Sequence, residues 1–494
     1  MFYNPVFPAL AHFFGAHKKK ASQASTHEQL KLCSSLGELE DLCGKSIPNH
    51  LLQPTDSGDH SRSRIFNLSV IFWAFLAQVL SPSTSCREIV RRVQAWHVAI
   101  CPLFTFSIQT VAYCKARAKI PEKTLSAIAN HLVQHCERHT PSSALWLGRR
   151  VKIVDGTTIS MPDTAKNQEA YPQPSSQSPG CGFPLMNIVG IFSLASGALL
   201  NFAKDTIHVH ESLLFRRLWA FLDKGDIILA DRGFCSYCAI ASLRDLGVDC
   251  VIRLNQNRKT DMRYGKRIGK NDRLQIWQKP IKKPKGLSKE EFAQAPETLT
   301  VRVVKINVNV KGFRTSHCLI LTTLLDPKAF KIENLGELYF ARWSIELRFR
   351  EIKSICGMDI LKCLSPDMIL RELLMHTIAY NVVRSLMQKA ANEYNVPLGR
   401  ISFKGTLDTV RHWAPLINNA KSTPSKQKKL ISKMLELIAK DLVPERPNRI
   451  EPRAIKRRPK SYPRLTQPRK QMSTQSHNNH SKSKSANNAK NPLS

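Results

Sequence analysis

From about residue 148 the chain begins to alternate short apolar runs with amphipathic stretches, and this alternation narrows the folds open to it. Arg150-Val151-Lys152-Ile153-Val154 reads as a strand that delivers Asp155. Asn187 to Leu194 and Ala198 to Ala203 read as two further strands, joined at Ala195-Ser196-Gly197 as a hairpin. A helix is expected from about Glu211 to Leu222, and a strand from Asp226 to Ala230 that delivers Asp231. A helix from about Tyr237 to Leu246 then leads to a strand from Cys250 to Leu254. Three strands followed by helix, strand, helix, strand imply a mixed α/β domain.

The region before it, residues 1 to about 145, reads as mostly helical. Ile65 to Leu80 is the most apolar run, but Asn67, Ser69 and Gln78 interrupt it, so a buried helix is expected instead of a membrane span. Ser85-Cys86-Arg87-Glu88 has capping-box spacing and opens a helix to about Trp96. A second helix, about Ser107 to Lys119, carries Lys115, Arg117 and Lys119 and ends before Pro121. The two could form a DNA-reading pair, although plain helix packing explains them at least as well. Apolar residues precede Lys18-Lys19-Lys20, the reverse of a signal peptide's order, so a cytoplasmic protein is expected.

A third acidic residue stands out further along. In Leu338-Tyr339-Phe340-Ala341-Arg342-Trp343-Ser344-Ile345-Glu346-Leu347-Arg348-Phe349-Arg350-Glu351-Ile352-Lys353, one continuous helix would place Tyr339, Arg342, Glu346 and Lys353 within an arc of roughly 60°. Leu338, Ala341, Ile345, Phe349 and Ile352 form an apolar stripe beside it. A carboxylate flanked by Arg, Lys and Tyr on one face suits a site that handles metal ions and phosphate together.

The Tyr339, Arg342, Glu346 and Lys353 spacing resembles the signature of the insertion sequence 4 family of DDE transposases. Asp155 in Val-Asp-Gly-Thr and Asp231 in Ala-Asp-Arg-Gly-Phe are similar to that family's first and second catalytic Asp. The resemblance spans roughly residues 60 to 465. It implies an α/β, ribonuclease-H-like catalytic core interrupted by a β-rich insertion, with a helical N-terminal region and a basic C-terminal tail. The corresponding divisions are 1–145, a helical region that could bind DNA ends; 146–255, the first part of the core; 256–318, the insertion; 319–443, core completion with the catalytic helix; and 444–494, the tail.

Composition agrees with a polyanionic partner. Lys and Arg total 74 against 38 Asp and Glu, a net charge of +36, while 42% hydrophobic content requires a large folded core. Between Gln256 and Lys285 eleven Lys or Arg face two Asp, and Arg446 to Lys470 holds ten Lys or Arg and one Glu. Residues 471 to 494 are Ser, Asn, His and Lys with almost nothing to bury, so disorder is expected there. The 13 cysteines are scattered without framework spacing, which fits a reducing compartment.

The resemblance implies that Asp155, Asp231 and Glu346 bind two Mg²⁺ ions, with Mn²⁺ as a substitute, and cleave DNA. It implies that Arg342, Lys353 and Tyr339 hold DNA phosphate or a base, with Arg232 as a further phosphate candidate. In several family members a Trp in the insertion receives a flipped base and precedes a short apolar strand ending in Thr. Leu319-Ile320-Leu321-Thr322 matches that strand, Cys318 stands where the Trp is expected, and Trp277 is a candidate substitute. Cys235 and Cys238 have zinc-ligand spacing without a second pair, and a helix-buried pair explains them better. His208, His210 and Glu211 could bind metal, but alternation near a strand end is the simpler cause. No phosphate-binding Gly-Lys-Ser/Thr loop occurs. The expected activity is a cut-and-paste DNA transposase that pairs double-stranded element ends as a homodimer. A nuclease of the same fold without strand transfer, or a transposase-derived DNA-binding protein, remains as an alternative.

Overall fold

The computed structural model describes residues 47–53, 59, 65–81, 83–100, 107–255, 261–307, 317–419, 423–444, 465 and 467–473. The expectations for residues 1–46 and for most of the basic tail lie outside these described residues.

The centre of the fold is one nine-stranded sheet, in the order β3-β2-β1-β4-β5-β9-β8-β7-β6. Its first half comprises β1 (Val151–Ser160), β2 (Leu185–Ser193), β3 (Leu199–Thr206), β4 (Ile227–Ala230) and β5 (Asp249–Arg253). Strands β1, β4 and β5 run parallel, and β2 and β3 extend the sheet antiparallel. Every residue of β4 is buried, as expected of a parallel strand covered on both faces. The strand and helix order read from the sequence is observed with boundaries shifted by a few residues, except that an unexpected short helix, Ala165–Ala170, lies between β1 and β2. The helix expected from Glu211 to Leu222 is shorter, ending at Arg216, with a 3₁₀ turn at Trp219–Phe221.

The basic stretch after β5 forms β6 (Lys266–Gly269), β7 (Asp272–Gln278), a short helix (Lys289–Gln294), β8 (Thr298–Asn307) and β9 (His317–Thr322). Strand β9 pairs antiparallel with β5, so these strands continue the core sheet and do not form a separate layer. Arg302 on β8 is fully buried against Asp272 on β7, with Nε–Oδ1 at 2.9 Å and Nη2–Oδ2 at 2.6 Å. Its Nη1 donates to the carbonyls of Leu324, Asp326 and Phe330, on the segment that leads into the next helix. The insertion is thereby tied to the chain that delivers Glu346.

One face of the sheet is covered by helices. Pro366–Tyr394 is the longest, about 44 Å at 1.5 Å per residue. It starts with Pro at its first turn and stops at Asn395, which is left-handed at φ 51°. Tyr380 donates to the Gly197 carbonyl at 2.7 Å, Asn381 bonds both backbone groups of Leu199, and Arg384 donates to the Ser196 carbonyl. The helix therefore holds the β2–β3 hairpin by its backbone. Gly197 has φ +69°, and a Cβ there would overlap the Arg384 guanidinium, so only glycine fits.

Leu68–Leu80 is buried nearly all round, as its even apolarity requires, and Asn67 caps it by accepting from the Val70 N–H at 2.9 Å. Cys86–Ile100 follows, with Ser85 Oγ accepting from the Glu88 N–H. The helix expected from Ser107 begins only at Val111 and ends at Ala118. A further helix, Glu122–Arg138, packs on Pro366–Tyr394, and Phe403–Asn419 and Pro424–Lys440 complete the helical layer. Among the described residues, no helix is long and apolar enough to cross a membrane.

Candidate active site

The parallel register brings two acids together. Val154 pairs with Ala230 at the last rung between β1 and β4, so Asp155 and Asp231 are the next residue on each strand. Beyond that rung β1 continues to Ser160 along β2, and its other edge, without a strand partner until Ser160 bridges Ile360, borders a crevice at the carboxyl ends of β1 and β4. Such crevices are where open α/β sheets bind ligands. Each Asp is oriented by a local backbone donor. Asp155 Oδ1 accepts from the Gly156 N–H at 2.9 Å, and Asp231 Oδ1 accepts from the Gly233 N–H at 2.7 Å across a 3₁₀ turn.

Glu346 reaches this crevice from the helical layer, but the chain around it differs from the expected single helix. One helix, Ile332–Ala341, ends before Arg342, and a second, Ser344–Arg350, begins after Trp343. The junction is tight, with Ile345 N–H bonded to the Arg342 carbonyl and Glu346 N–H to that of Trp343. A π turn, Glu351–Ile355, follows. The uniform 100° step is therefore lost, which corrects the arc drawn for Tyr339, Arg342, Glu346 and Lys353. Packing still turns three of the four toward β1 or one another. Ile345 and Ile352 anchor the segment in the core.

Arg342 lies between the acids, with Nη1 3.7 Å from Asp155 Oδ2 and Nη2 3.9 Å from Glu346 Oε1. Its side chain is 11% exposed, whereas that of Glu346 is 66% exposed. Tyr339 is buried beside Arg342, and burial pushes its phenol up to about 12. Lys353 Nζ donates to Thr157 Oγ1 at 2.8 Å and to the Thr158 carbonyl at 2.9 Å, on the open edge of β1. Arg232 is exposed directly after Asp231.

Burial raises the Asp155 carboxyl above its usual range, and Asp231 and Glu346 add to the rise, against the Gly156 N–H and Arg342. A fourth carboxylate stands in the same field. Glu211 opens the helix Glu211–Arg216 and is raised by burial first, then by Asp155 and Asp231. The sequence signal for it was the His208-Val209-His210-Glu211 run, which periodicity alone explained away. His210 itself caps that helix, its Nδ1 accepting from the Ser212 N–H.

The other candidates are placed elsewhere. Trp277 is 6% exposed and packs with Leu299, Val301 and Leu321, whereas Cys318 packs with Ile306 and Ile320 in the core of the opposite sheet face. Trp277 therefore neither offers its ring to DNA nor stands in for a residue at position 318. Alternation along β7 turns it inward, and a one-residue offset would be needed to expose it. Cys238 is buried in the core with its thiol raised, chiefly by burial.

All the donors in the crevice are carboxylate oxygens, a set that suits a hard divalent cation. Among the described residues no three His, Cys, Asp or Glu side chains already converge closely enough to hold an ion. The Arg342 guanidinium supplies the positive charge between Asp155 and Glu346.

Comparison with known proteins finds transposases. Residues 146–382 match the family described as Transposase DDE domain, a span that contains all three acids. The transposase InsG for insertion sequence element IS4, from Escherichia coli (strain K12), is 25% identical over 418 residues, covering 83% of this chain and 90% of that protein. Among solved structures, the piggyBac transposase synaptic complex with hairpin DNA is similar over 83% of this chain and 84% of that one. That likeness has a TM-score of 0.38 at 10% identity. The matched domain and the related transposase both cover the crevice, so over its acids the chain is similar to DDE transposases, among them one of the insertion sequence 4 family.

Proposed function

We propose that this protein binds the inverted-repeat ends of its own element, cleaves the DNA there, and joins the freed 3′-hydroxyl ends to target DNA. The observation that carries the reading is the placement of Asp155 and Asp231 directly after the last β1–β4 rung, Val154–Ala230, with Glu346 facing them from the helical layer. We read the sheet and its helices as a ribonuclease-H-like core, with β6 to β8 as the inserted element. The +36 charge favours DNA as the class of partner.

Asp155, Asp231 and Glu346 would hold two divalent ions, Mg²⁺ or Mn²⁺. Bound there, such ions activate a water and stabilise the leaving oxygen of a phosphodiester. The chain's own residues do the rest. Asp155, fixed by the Gly156 N–H, sits centrally and shares charge with both other acids. Glu346 is exposed enough to adjust toward them. Arg342 neutralises Asp155 and Glu346 in the resting protein and is placed to bind DNA phosphate when cations take over that duty, with Tyr339 beside it as a further phosphate or base contact. Lys353 braces the open edge of β1 beside the crevice and adds positive charge for the DNA backbone, as does exposed Arg232. Two ends must be brought together, so the active unit is a homodimer on DNA.

The test is cleavage and joining of a labelled element end by the full chain with Mg²⁺. Asp155→Asn, Asp231→Asn and Glu346→Gln should each abolish both steps while end-binding persists. Cleavage retained in Glu346→Gln would refute the assignment of that residue. Cleavage without joining in the wild type would leave a nuclease of the same fold.

A further inference from the structure

The acids of the crevice arrive from two sides of the sheet. Ile153 and Leu229, two residues before Asp155 and Asp231, pack in the core beneath the long helix, and Ile345 beside Glu346 packs in that same core. Strand alternation therefore places Asp155 and Asp231 on that face. Glu211 comes from the other face: Leu214 and Phe215 of its helix pack with Val154 and Ala230 in the opposite core.

What lets Glu211 reach the crevice is the residue after Asp155. Gly156 points away from the Asp155 face, and the Glu211 side chain fills the space its missing Cβ leaves. A Cβ at 156 would overlap Glu211 Oε1, Cδ and Cγ. The charged groups acting on Glu211 are Asp155, Asp231 and His210, and no Lys or Arg is among them. The carboxylate is thus threaded past the backbone of β1 to face two like charges. An acid in a first helical turn needs no such placement to satisfy the helix dipole, since it can point to solvent.

We propose that Glu211 is a fourth carboxylate of the site, which binds the divalent cation together with Asp155 and Asp231 from the opposite sheet face. This rests on the reading of the crevice as a cation site. It makes Gly156 a requirement of the site, because any side chain there expels Glu211.

Mn²⁺ binding to the chelator-stripped full chain, without DNA, tests this by calorimetry or by the electron paramagnetic resonance of free Mn²⁺. Glu211→Gln keeps the shape of the side chain and removes its charge. Gly156→Ala keeps every carboxylate and displaces Glu211. Each should weaken Mn²⁺ binding on the order of tenfold or more, in the range seen when groups around a metal are removed. Asp155→Asn serves as the reference and should lose binding as well. Wild-type Mn²⁺ affinity in Glu211→Gln, with loss in Asp155→Asn, would overturn the role of Glu211 and leave the site intact. Wild-type affinity in Asp155→Asn would overturn the cation site itself. Melting in chelator separates folding from binding: Glu211→Gln should melt no lower than wild type, because it removes repulsion. A large drop in that melt would make Glu211 a structural residue and refute the proposal.

Discussion

Arg342→Met is the most informative single change, because the structure predicts a small effect on folding and a large one on DNA. The guanidinium meets Asp155 and Glu346 at 3.7 and 3.9 Å, both longer than a hydrogen bond. Glu346 is mostly exposed, so that pair is screened and contributes close to nothing. The Asp155 pair is more enclosed and contributes about 1 kcal/mol. Against these losses, Arg342 Nε is buried without a hydrogen-bond partner, a cost that Met removes. The net change should lie within about 1–2 kcal/mol, which for a chain this large shifts Tm by no more than about 4 °C. Binding of a cleaved element end should weaken by about 1–3 kcal/mol, the range for a charge-assisted contact. Differential scanning fluorimetry in chelator and fluorescence anisotropy with a labelled end provide the two readouts. A Tm lowered by more than about 10 °C, with unchanged end affinity in the folded fraction, would refute the phosphate role and make Arg342 a structural ion-pair residue.

Two further outcomes follow from buried charge. Asp272→Ala leaves the fully buried Arg302 without its carboxylate and should cost about 3–5 kcal/mol, read by chemical denaturation; a loss under 1 kcal/mol would mean that the carbonyls of Leu324, Asp326 and Phe330 suffice. In chelator, the raised carboxyls of Asp155 and Glu211 favour the protonated form in the folded state. Their stabilising contribution is present below the unfolded carboxylate pKa and is lost as pH rises through the folded values. Asp155→Asn should therefore melt at or above wild type at pH 7, with the difference closing as pH falls into the ordinary carboxylate range; a lower melt at pH 7 would contradict this.

Much of the site is written in local patterns. Asp155 and Asp231 each end or interrupt an apolar run, and the Tyr339-to-Lys353 spacing marks Glu346, since periodicity within an element tells which residues share its face. Period and capping signals likewise place the strands that deliver the acids. Relations between elements are not written there. The β1–β4 register that makes Asp155 and Asp231 neighbours, and the continuation of the core sheet through β9 and β5, depend on backbone pairing between distant segments. The break at Arg342–Trp343 and the π turn after Arg350 arise where the segment fits Ile345 and Ile352 into a shared core, which a uniform helical step cannot anticipate. Trp277 looks like a DNA contact in a basic stretch, but the sheet turns it inward. Glu211 looks like an ordinary acid after an alternating run, and only the packing of its helix on the far side of β1, over the one residue without a side chain, brings it to Asp155. A sequence states what each residue can do on its own element; which residues meet across elements is decided by long-range burial and pairing.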